Sequence, residues 1–262
     1  MIKDITLGQY FPGNSPIHRM DPRVKILWAF FYIILLFFVP NLWGFLVFGI
    51  FTLGVICTAK LNLKFVFKGL KPLLFLLVFT SAINIFMTAG EPVFTIWKIT
   101  ATKEGIYLAI YMVLRLSFLV FGTSILTFTT SPLKLTDGIE NLLMPFSKIG
   151  VPAHEIAMMM TIAMRFIPTI LEETDKIMKA QAARGADFAS GNLINRAKAL
   201  IPLLIPLFIS AFRRADELAS AMECRCYRGG EGRTRLKELR ISKLDIYSVF
   251  YAIGLLAIII LL

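Results

Sequence analysis

Long apolar runs separated by short charged stretches make up the first half of the chain. Four of these runs are predicted to be membrane helices, over residues 24–39, 42–59, 72–89 and 105–129. A fifth predicted membrane helix lies near the other end of the chain, over residues 246–262. Pro40-Asn41 separates the first two runs, which predicts a tight helical hairpin. Both runs lie near the lower limit of the roughly 17–25 residues that a span needs.

The segment between the fourth and fifth runs, residues 131–243, has shorter apolar stretches between charged residues. Prolines at positions 132, 145, 152 and 168 predict short helices over about 133–144, 152–166, 169–184 and 203–226. Its most apolar part, residues 199–212, rises only about 21 Å against a hydrocarbon core of about 30 Å. Pro202, Pro206 and flanking cations also favour an interfacial or packed helix over a span there.

Composition indicates an integral membrane protein. Of the 262 residues, 57% are hydrophobic, and the mean hydropathy is +0.73, whereas soluble domains contain about 45–50% apolar residues. The formal net charge is +11. Lys and Arg in cytoplasmic loops, close to anionic lipid headgroups, explain this charge, so nucleic acid is a poor candidate partner.

The distribution of positive charge predicts an orientation in the cell membrane. The N-terminal arm, the loop at 60–71 and the segment after the fourth run are basic, and the other loops are not. We therefore expect a cytoplasmic N-terminus and four crossings that return the chain to the cytoplasm near Thr130. The prediction is an all-α membrane protein with about five transmembrane helices. Residues 1–130 form the arm and four spans, residues 131–243 a large helical cytoplasmic region, and residues 244–262 the last span.

A weak internal repeat lies within residues 131–243. A shift of 41 residues places Asp175, Ala180 and Arg184 over their counterparts Asp216, Ala221 and Arg225. Each copy is a predicted helix that ends in an arginine. Two interpretations stay open: the arginine complements the helix dipole before a terminating glycine, or it docks into an acidic groove of a cytoplasmic partner. Gly185 follows Arg184, but Cys226 follows Arg225 and is a poor terminating residue. Dipole capping alone therefore does not explain why an arginine recurs at the same place in both copies.

Candidate chemistry elsewhere is sparse. Cys224 and Cys226 would need two further ligands to hold zinc, and the chain has only His18 and His154, so we expect reduced thiols that act as small filler. The basic, glycine-rich stretch 228–240 is typical of a loop that binds lipid headgroups. It lacks a G-x-x-x-x-G-K-[S/T] motif, and no catalytic set, cofactor site or metal cluster is evident, so an enzyme is not expected.

Arg115 lies near the middle of the fourth run, too deep to reach the headgroups easily. It must face the protein interior or a partner. Either it bonds polar groups of neighbouring helices, Asn84 being a candidate, or it lines a path for a substrate.

The chain resembles the T component of energy-coupling factor (ECF) transporters over essentially its whole length. The matching residues are His18-Arg-Met-Asp-Pro-Arg-Val-Lys25, Met164-Arg-Phe-Ile-Pro168, Glu172-Glu-Thr-Asp-Lys-Ile-Met-Lys-Ala-Gln181, Ala183-Arg-Gly185 and Tyr227-Arg-Gly-Gly-Glu-Gly-Arg-Thr234. The resemblance implies a non-catalytic membrane scaffold. Such a scaffold couples ATP hydrolysis by two cytoplasmic ABC-type ATPase subunits to uptake by a separate substrate-binding membrane subunit, the S component. Vitamins or related micronutrients are the implied cargo, which the T component itself does not encode.

The resemblance also implies functional residues. In this family two x-Arg-x motifs end the coupling helices and fit grooves on the two ATPases, and by position these motifs are Ala183-Arg184-Gly185 and Cys224-Arg225-Cys226. The second motif departs from the usual Ala-Arg-Gly form. Without glycine, the helix has the alternative of continuing toward Gly229 before it turns.

Two other classes compete with this hypothesis. A self-contained secondary transporter or channel would use Arg115 and Asn84 to line its path, and would transport without ATPases. That class usually shows paired broken helices and midplane charges, which the sequence does not suggest. An intramembrane enzyme would need a catalytic constellation that is not evident.

Overall fold

The structure is a computed structural model that describes residues 10–96, 99–186, 188, 193–230, 239 and 241–261. Contacts divide the chain into two compact units. The first unit comprises Gly8–Ile139 with Lys237–Leu262, and the second unit contains Glu140–Leu236. The predicted division at residues 130 and 243 stays a prediction.

The described chain is helical apart from one short strand pair. In chain order its α-helices are α1 Pro16–Arg19, α2 Pro22–Phe38, α3 Leu42–Thr58, α4 Leu63–Lys68, α5 Leu74–Met87, α6 Lys103–Thr129, α7 Pro132–Leu143, α8 Ala153–Ala183, α9 Leu193–Cys224 and α10 Lys243–Leu261. Short 3-10 helices cover Lys71–Leu73 and Met144–Ile149. The predicted all-α membrane fold is confirmed.

The start of α2 shows how the sequence sets a helix boundary. Asp21 accepts the amide hydrogen of Arg23 at 2.9 Å, and Pro22 occupies the first helical turn, so Asp21 caps the helix. Asp21 is buried, which raises the pKa of its carboxyl, but hydrogen bonds from the Arg23 side chain and amide outweigh burial and lower that pKa overall. Its own amide donates to Asp245 of α10 at 3.0 Å. This hydrogen bond connects the start of α2 to α10, so the early and late segments of the first unit are in contact.

The core of the first unit lies between α2, α3 and α10. Tyr32, Leu36, Phe48 and Leu255 are among its buried members. A Cβ added at Gly122 would lie only 2.3 Å from the Tyr32 ring, so glycine permits the close approach of α6 to α2. Packing of this kind holds the helices of the first unit together.

A short hairpin occupies the loop predicted over residues 90–104. Strands β1 Pro92–Ile96 and β2 Ile99–Thr102 pair antiparallel, with Thr95 opposite Thr100. Both strands are rich in β-branched residues, the composition that favours strands. Trp97 and Lys98, between the two strands, lie outside the described residues.

Prolines do not divide the second unit as predicted. α8 runs continuously through Pro168, and α9 begins at Leu193 and continues through Pro202 and Pro206. The predicted breaks near residue 168 and before residue 203 are therefore wrong. A proline removes one helical hydrogen bond and adds a local clash, and a long helix packed against a neighbour tolerates this cost.

Four described stretches are long and apolar enough to cross a membrane: Leu63–Met87, Lys103–Thr129, Ala153–Ala183 and Lys243–Ile260. α2 and α3 have 17 residues each and rise only about 25 Å, so they are shorter than the four candidate spans and shorter than a hydrocarbon core of about 30 Å. The count of about five spans therefore stays a prediction. The helix predicted over residues 199–212 is the middle of the 32-residue α9.

Candidate functional site: two helix ends that carry arginine

The end of α8 is a glycine-terminated turn with an arginine at its tip. Gly185 has a left-handed φ of +88°, and its amide donates to the carbonyl of Ala182 at 3.0 Å. The amide of Ala186 donates to the carbonyl of Gln181, also at 3.0 Å. These two bonds define a Schellman motif, which satisfies the last helical carbonyls. Arg184 is the residue that caps the helix just before the turn.

The end of α9 repeats this turn without a glycine. Cys226 has a left-handed φ of +57°, and its amide donates to the carbonyl of Glu223 at 2.9 Å. The amide of Tyr227 donates to the carbonyl of Met222 at 3.0 Å. Each bond is the 41-residue counterpart of a bond at the first end. Arg225 therefore occupies the same place in its turn as the arginine of the first end.

This geometry shows whether α9 continues past Cys226, where a terminating glycine is missing. Continuation of the helix toward Gly229 is wrong, because α9 ends at Cys224. The left-handed conformation costs a non-glycine residue about 1–2 kcal/mol. The two hydrogen bonds of the turn offset that cost. Every residue of the two motifs is exposed: Ala183, Arg184, Gly185, Cys224, Arg225 and Cys226.

The two helices that carry these ends are antiparallel. Residues progressively earlier in α8 contact residues progressively later in α9 and in the turn that follows it. The pairs are Gln181 with Pro202 at 3.3 Å, Glu173 with Arg214 at 2.7 Å, and His154 with Tyr227 at 3.4 Å. The two arginine ends therefore lie at opposite ends of the helix pair. Because α8 has 31 residues, they are about 45 Å apart along its axis.

Some of these side chains were missed by the sequence analysis. Gln181 was noted only as part of a motif, and His154 only as a possible metal ligand. Glu173 and Arg214 are equivalent positions under the 41-residue shift, but the shift relates positions in the two copies and does not predict a contact between them. The contact of His154 with Tyr227 likewise has no signal in the sequence.

Arg115 and Asn84, the two intramembrane polar candidates, bond to different partners. The Arg115 guanidinium donates to the Tyr111 hydroxyl at 3.0 Å and lies over the rings of Tyr111 and Phe37, 4.7 and 5.4 Å from their centroids. The Asn84 amide donates to the carbonyl of Thr80 on its own helix at 2.9 Å. Asn84, the candidate named from the sequence, is therefore not a hydrogen-bond partner of Arg115 in the structure. Aromatic faces and a phenol stabilise this intramembrane cation instead.

The N-terminal motif makes internal contacts. The His18 ring bonds the Ser15 hydroxyl at 2.7 Å and the Phe11 carbonyl at 3.0 Å. The Lys25 ammonium donates to the carbonyl of Thr129 at 3.0 Å. These contacts tie the N-terminal arm to the start of α2 and the end of α6. We therefore assign this motif to the fold of the first unit.

The remaining candidate sites concern metal ions, thiols and lipid headgroups. Within the described ranges no group of three or more His, Cys, Asp or Glu side chains is placed to hold a metal ion. Cys57, Cys224 and Cys226 are free and exposed. Of the basic loop, Arg228 is described and exposed. The predicted lipid-binding residues Arg233, Arg235, Lys237 and Arg240 lie outside the described residues.

The fold and the site define a class: a multi-pass helical membrane protein with two exposed arginine-bearing helix ends. A family model described as "CbiQ: Cobalt transport protein" matches residues 13–236. A relative in Clostridium kluyveri, named energy-coupling factor transporter transmembrane protein EcfT, is 59% identical over 264 residues, covering 100% of this chain and 97% of the relative. Proteins of the same name in Thermosediminibacter oceani and Bacillus subtilis are 56% identical over 98% and 97% of the two chains, and 46% identical over 91% of each.

The chain therefore belongs to the CbiQ/EcfT family, the transmembrane components of ECF transporters. The resemblance seen in the sequence is confirmed. Membership and the apolar helices make it a multi-pass protein of the cell membrane with a transporter-subunit role.

Proposed function

We propose that this chain is the scaffold that couples two cytoplasmic ABC-type ATPase subunits to a separate substrate-binding membrane subunit. Arg184 docks on one ATPase and Arg225 on the other. The observation that carries this proposal is the pair of matching helix ends, each with an exposed arginine, at opposite ends of α8 and α9. Ends about 45 Å apart suit two separate partner subunits.

The turn geometry supports docking through arginine. In each turn the left-handed residue and the one after it satisfy the terminal carbonyls, so the preceding arginine is not needed for that purpose. Arginine presents a planar fork that matches a carboxylate with two hydrogen bonds. An acidic groove on each ATPase is therefore the partner surface that this chemistry fits.

Contacts between the two helices support transmission of motion. The carboxylate of Glu173 accepts hydrogen bonds from Ser210 and Arg214, which ties the middle of α8 to α9. When the ATPases close and open, displacement of the arginine ends moves the helix pair as a unit. The exposed apolar side of α9 then repacks against the substrate-binding subunit. That side includes Leu204, Phe208 and Phe212.

The remaining parts of the proposal concern orientation and cargo. The N-terminus and both arginine ends face the cytoplasm, where the ATPases hydrolyse ATP. The cargo, a vitamin or related micronutrient, binds to the substrate-binding subunit. This chain contributes neither the hydrolytic site nor the cargo site.

The test is copurification and transport with single and paired charge reversals. Tagged wild type, Arg184→Glu, Arg225→Glu and the double variant are purified with both ATPases and the substrate-binding subunit. Each single reversal is expected to weaken ATPase retention by about 2–5 kcal/mol, and the double reversal to abolish ATP-dependent uptake. Arg213→Glu is the matched control, because Arg213 is exposed on α9 about 18 Å before Arg225.

Two outcomes would overturn the proposal. If no ATPase copurifies with wild type, or if every variant transports normally, the arginine ends are not coupling elements. The competing secondary transporter would instead show uptake by the purified chain alone in proteoliposomes, and that uptake would depend on Arg115.

A further inference from the structure

Three side chains connect the second arginine end to the start of α8 and to α7. The His154 ring, at the start of α8, bonds the Glu140 carboxylate through Nδ1 at 3.1 Å and contacts the Tyr227 hydroxyl through Nε2 at 3.4 Å. Tyr227 is the residue whose amide closes the turn that carries Arg225. Nδ1–H donates to the Glu140 carboxylate, which can only accept, and the Tyr227 hydroxyl can either donate to Nε2 or accept from it.

The backbone after Tyr227 makes a second contact with the same ring. Gly229 has a left-handed φ of +87°, which turns the chain before Gly230. A Cβ added at Gly230 would lie 2.8 Å from Cδ2 and 2.9 Å from Cγ of His154. The segment therefore approaches the imidazole so closely that only glycine fits there. One polar contact and one packing contact hold this segment against His154.

The cluster is partly shielded from water. The exposed fractions of the side chains are 28% for His154 and 12% for Glu140. Hydrogen bonds at such sites still order a side chain, because a bonded imidazole cannot rotate freely. His154 is thereby fixed as a platform for the segment that follows Arg225.

We infer that Glu140, His154 and Tyr227 form an anchor cluster that positions the Arg225 end for docking. Tyr227 is a positioning residue, since it acts through the turn and not on the partner. This inference rests on the proposed function of Arg225 as a docking residue. The first end is positioned differently, through Gln181 and the backbone of α9.

The first test measures the mobility of each end in the isolated chain. A nitroxide label is attached to Cys224 in a chain that carries Cys57→Ser and Cys226→Gly. The matched label is attached at position 183, the 41-residue counterpart, through Ala183→Cys in a chain that also carries Cys57→Ser, Cys224→Ala and Cys226→Gly. Tyr227→Phe removes only the hydroxyl and keeps the aromatic ring. Gly230→Ala provides an independent disturbance of the same cluster.

The anchor cluster predicts a change at one end only. Tyr227→Phe and Gly230→Ala are each expected to shorten the rotational correlation time of the label at Cys224 by about twofold or more, and to leave the label at position 183 unchanged. The melting temperature is measured in parallel. Equal changes at both ends, or no change at the second end with either variant, would overturn the inference.

The second test measures coupling in the complete transporter. Tyr227→Phe is expected to lower ATP-dependent uptake about threefold to tenfold, the range set by one neutral hydrogen bond. The loss should not deepen in an Arg225→Glu background, and should add to that of Arg184→Glu. Additive losses with Arg225→Glu would overturn the inference. If Arg225→Glu itself leaves ATPase binding and uptake intact, the proposed function fails, and the label measurements still decide whether the cluster fixes this end.

Discussion

At the scale of single residues, Cys226 is a non-glycine residue in a left-handed backbone conformation. Its left-handed φ of +57° is a conformation that glycine adopts without steric cost. The first helix end has glycine at the equivalent place, with a φ of +88°. A steric cost is therefore built into the second end and absent from the first.

Substitution of Cys226 should reveal that cost. Relief of about 1–2 kcal/mol of backbone strain by Cys226→Gly is partly offset by the larger entropy of glycine in the unfolded chain, so a net gain of roughly 0–1 kcal/mol is expected. Cys226→Val should destabilise by about 1 kcal/mol or more, because a β-branched side chain fits this region poorly. Thermal unfolding of the detergent-solubilised chain measures the order. Cys57→Val, in the helical α3, is the control, and equal effects of valine at both sites would contradict the explanation.

His18 predicts a pH dependence of stability. Burial lowers the pKa of its imidazole, the Phe11 carbonyl raises it in part, and the nearby Lys25 and Lys134 lower it further. The net pKa lies below the ordinary value of 6.5. The unfolded state therefore binds the proton more readily than the folded state as pH falls below 6.5, and stability is lost over that interval.

The measurement is the melting temperature between about pH 5 and pH 7.5. Wild type should become less stable below pH 6.5, and His18→Gln should show a smaller decline over the same interval. The glutamine variant is expected to be less stable than wild type at the upper end, because it cannot reproduce both ring contacts. Parallel curves for the two proteins would show that His18 does not cause the pH dependence.

At the scale of elements, two prolines in α9 create a binding position for a side chain of α8. Pro206 has no amide hydrogen, so the carbonyl of Pro202 lacks its usual donor four residues later. The Gln181 side chain donates to that carbonyl at 3.3 Å. The proline that was expected to break the helix instead frees a carbonyl that helps to hold the first arginine end.

A double-mutant cycle tests this relation. Gln181→Leu in the wild-type background should destabilise by about 0.5–1 kcal/mol, since it leaves the Pro202 carbonyl to partial solvation. Pro206→Ala restores an amide that bonds this carbonyl within the helix. In that background Gln181→Leu should cost less, with a coupling of about 0.5 kcal/mol or more from unfolding midpoints. Additive costs would show that Gln181 and Pro206 act independently.

The elements that could be predicted from the sequence are those with local signals. Asp21-Pro22 marks the start of α2, and Pro40-Asn41 separates α2 from α3, because caps and proline act within a few residues. Continuity through Pro168 could not be predicted, since tertiary packing decides whether a proline ends a helix. The hairpin over residues 92–102 carried a β-branched signal, but a strand pair depends on pairing that a single run does not reveal.

At the scale of the whole molecule, the repeat predicted two arginine ends but not their arrangement. The 41-residue shift indicated equivalent positions for Arg184 and Arg225, and the structure gives both ends the same turn. Their location at opposite ends of an antiparallel pair depends on contacts between distant residues. Such contacts leave no periodic mark in one sequence.

The length of α8 makes the orientation of the arginine ends a decisive prediction. A helix of about 46 Å matches the full thickness of a bilayer with its headgroups, and α8 is apolar enough to be a candidate span. If α8 crossed, the two arginine ends would lie on opposite sides of the membrane. Its second half argues against crossing, because residues 172–179 include two glutamates, an aspartate and two lysines.

Labelling with a membrane-impermeant thiol reagent distinguishes these arrangements. All single-thiol chains carry Cys57→Ser. Native Cys224 with Cys226→Gly reports the second end, and Ala183→Cys with Cys224→Ser and Cys226→Gly reports the first. The same three background changes with Asn14→Cys or Glu91→Cys report the N-terminal arm and the loop before α6, where both residues are exposed. We expect the arm and both ends to react from the cytoplasmic side, and position 91 from the outside.

The labelling pattern also tests whether α8 crosses the membrane and how many helices cross before position 91. Reaction of the two helix ends from opposite sides would make α8 a span, and would exclude docking of both arginines on cytoplasmic ATPases. Reaction of the arm and of position 91 from the same side would instead contradict an odd number of crossings between them. Because α2 and α3 rise only about 25 Å, that result would place one member of this pair, and not both, short of a full crossing.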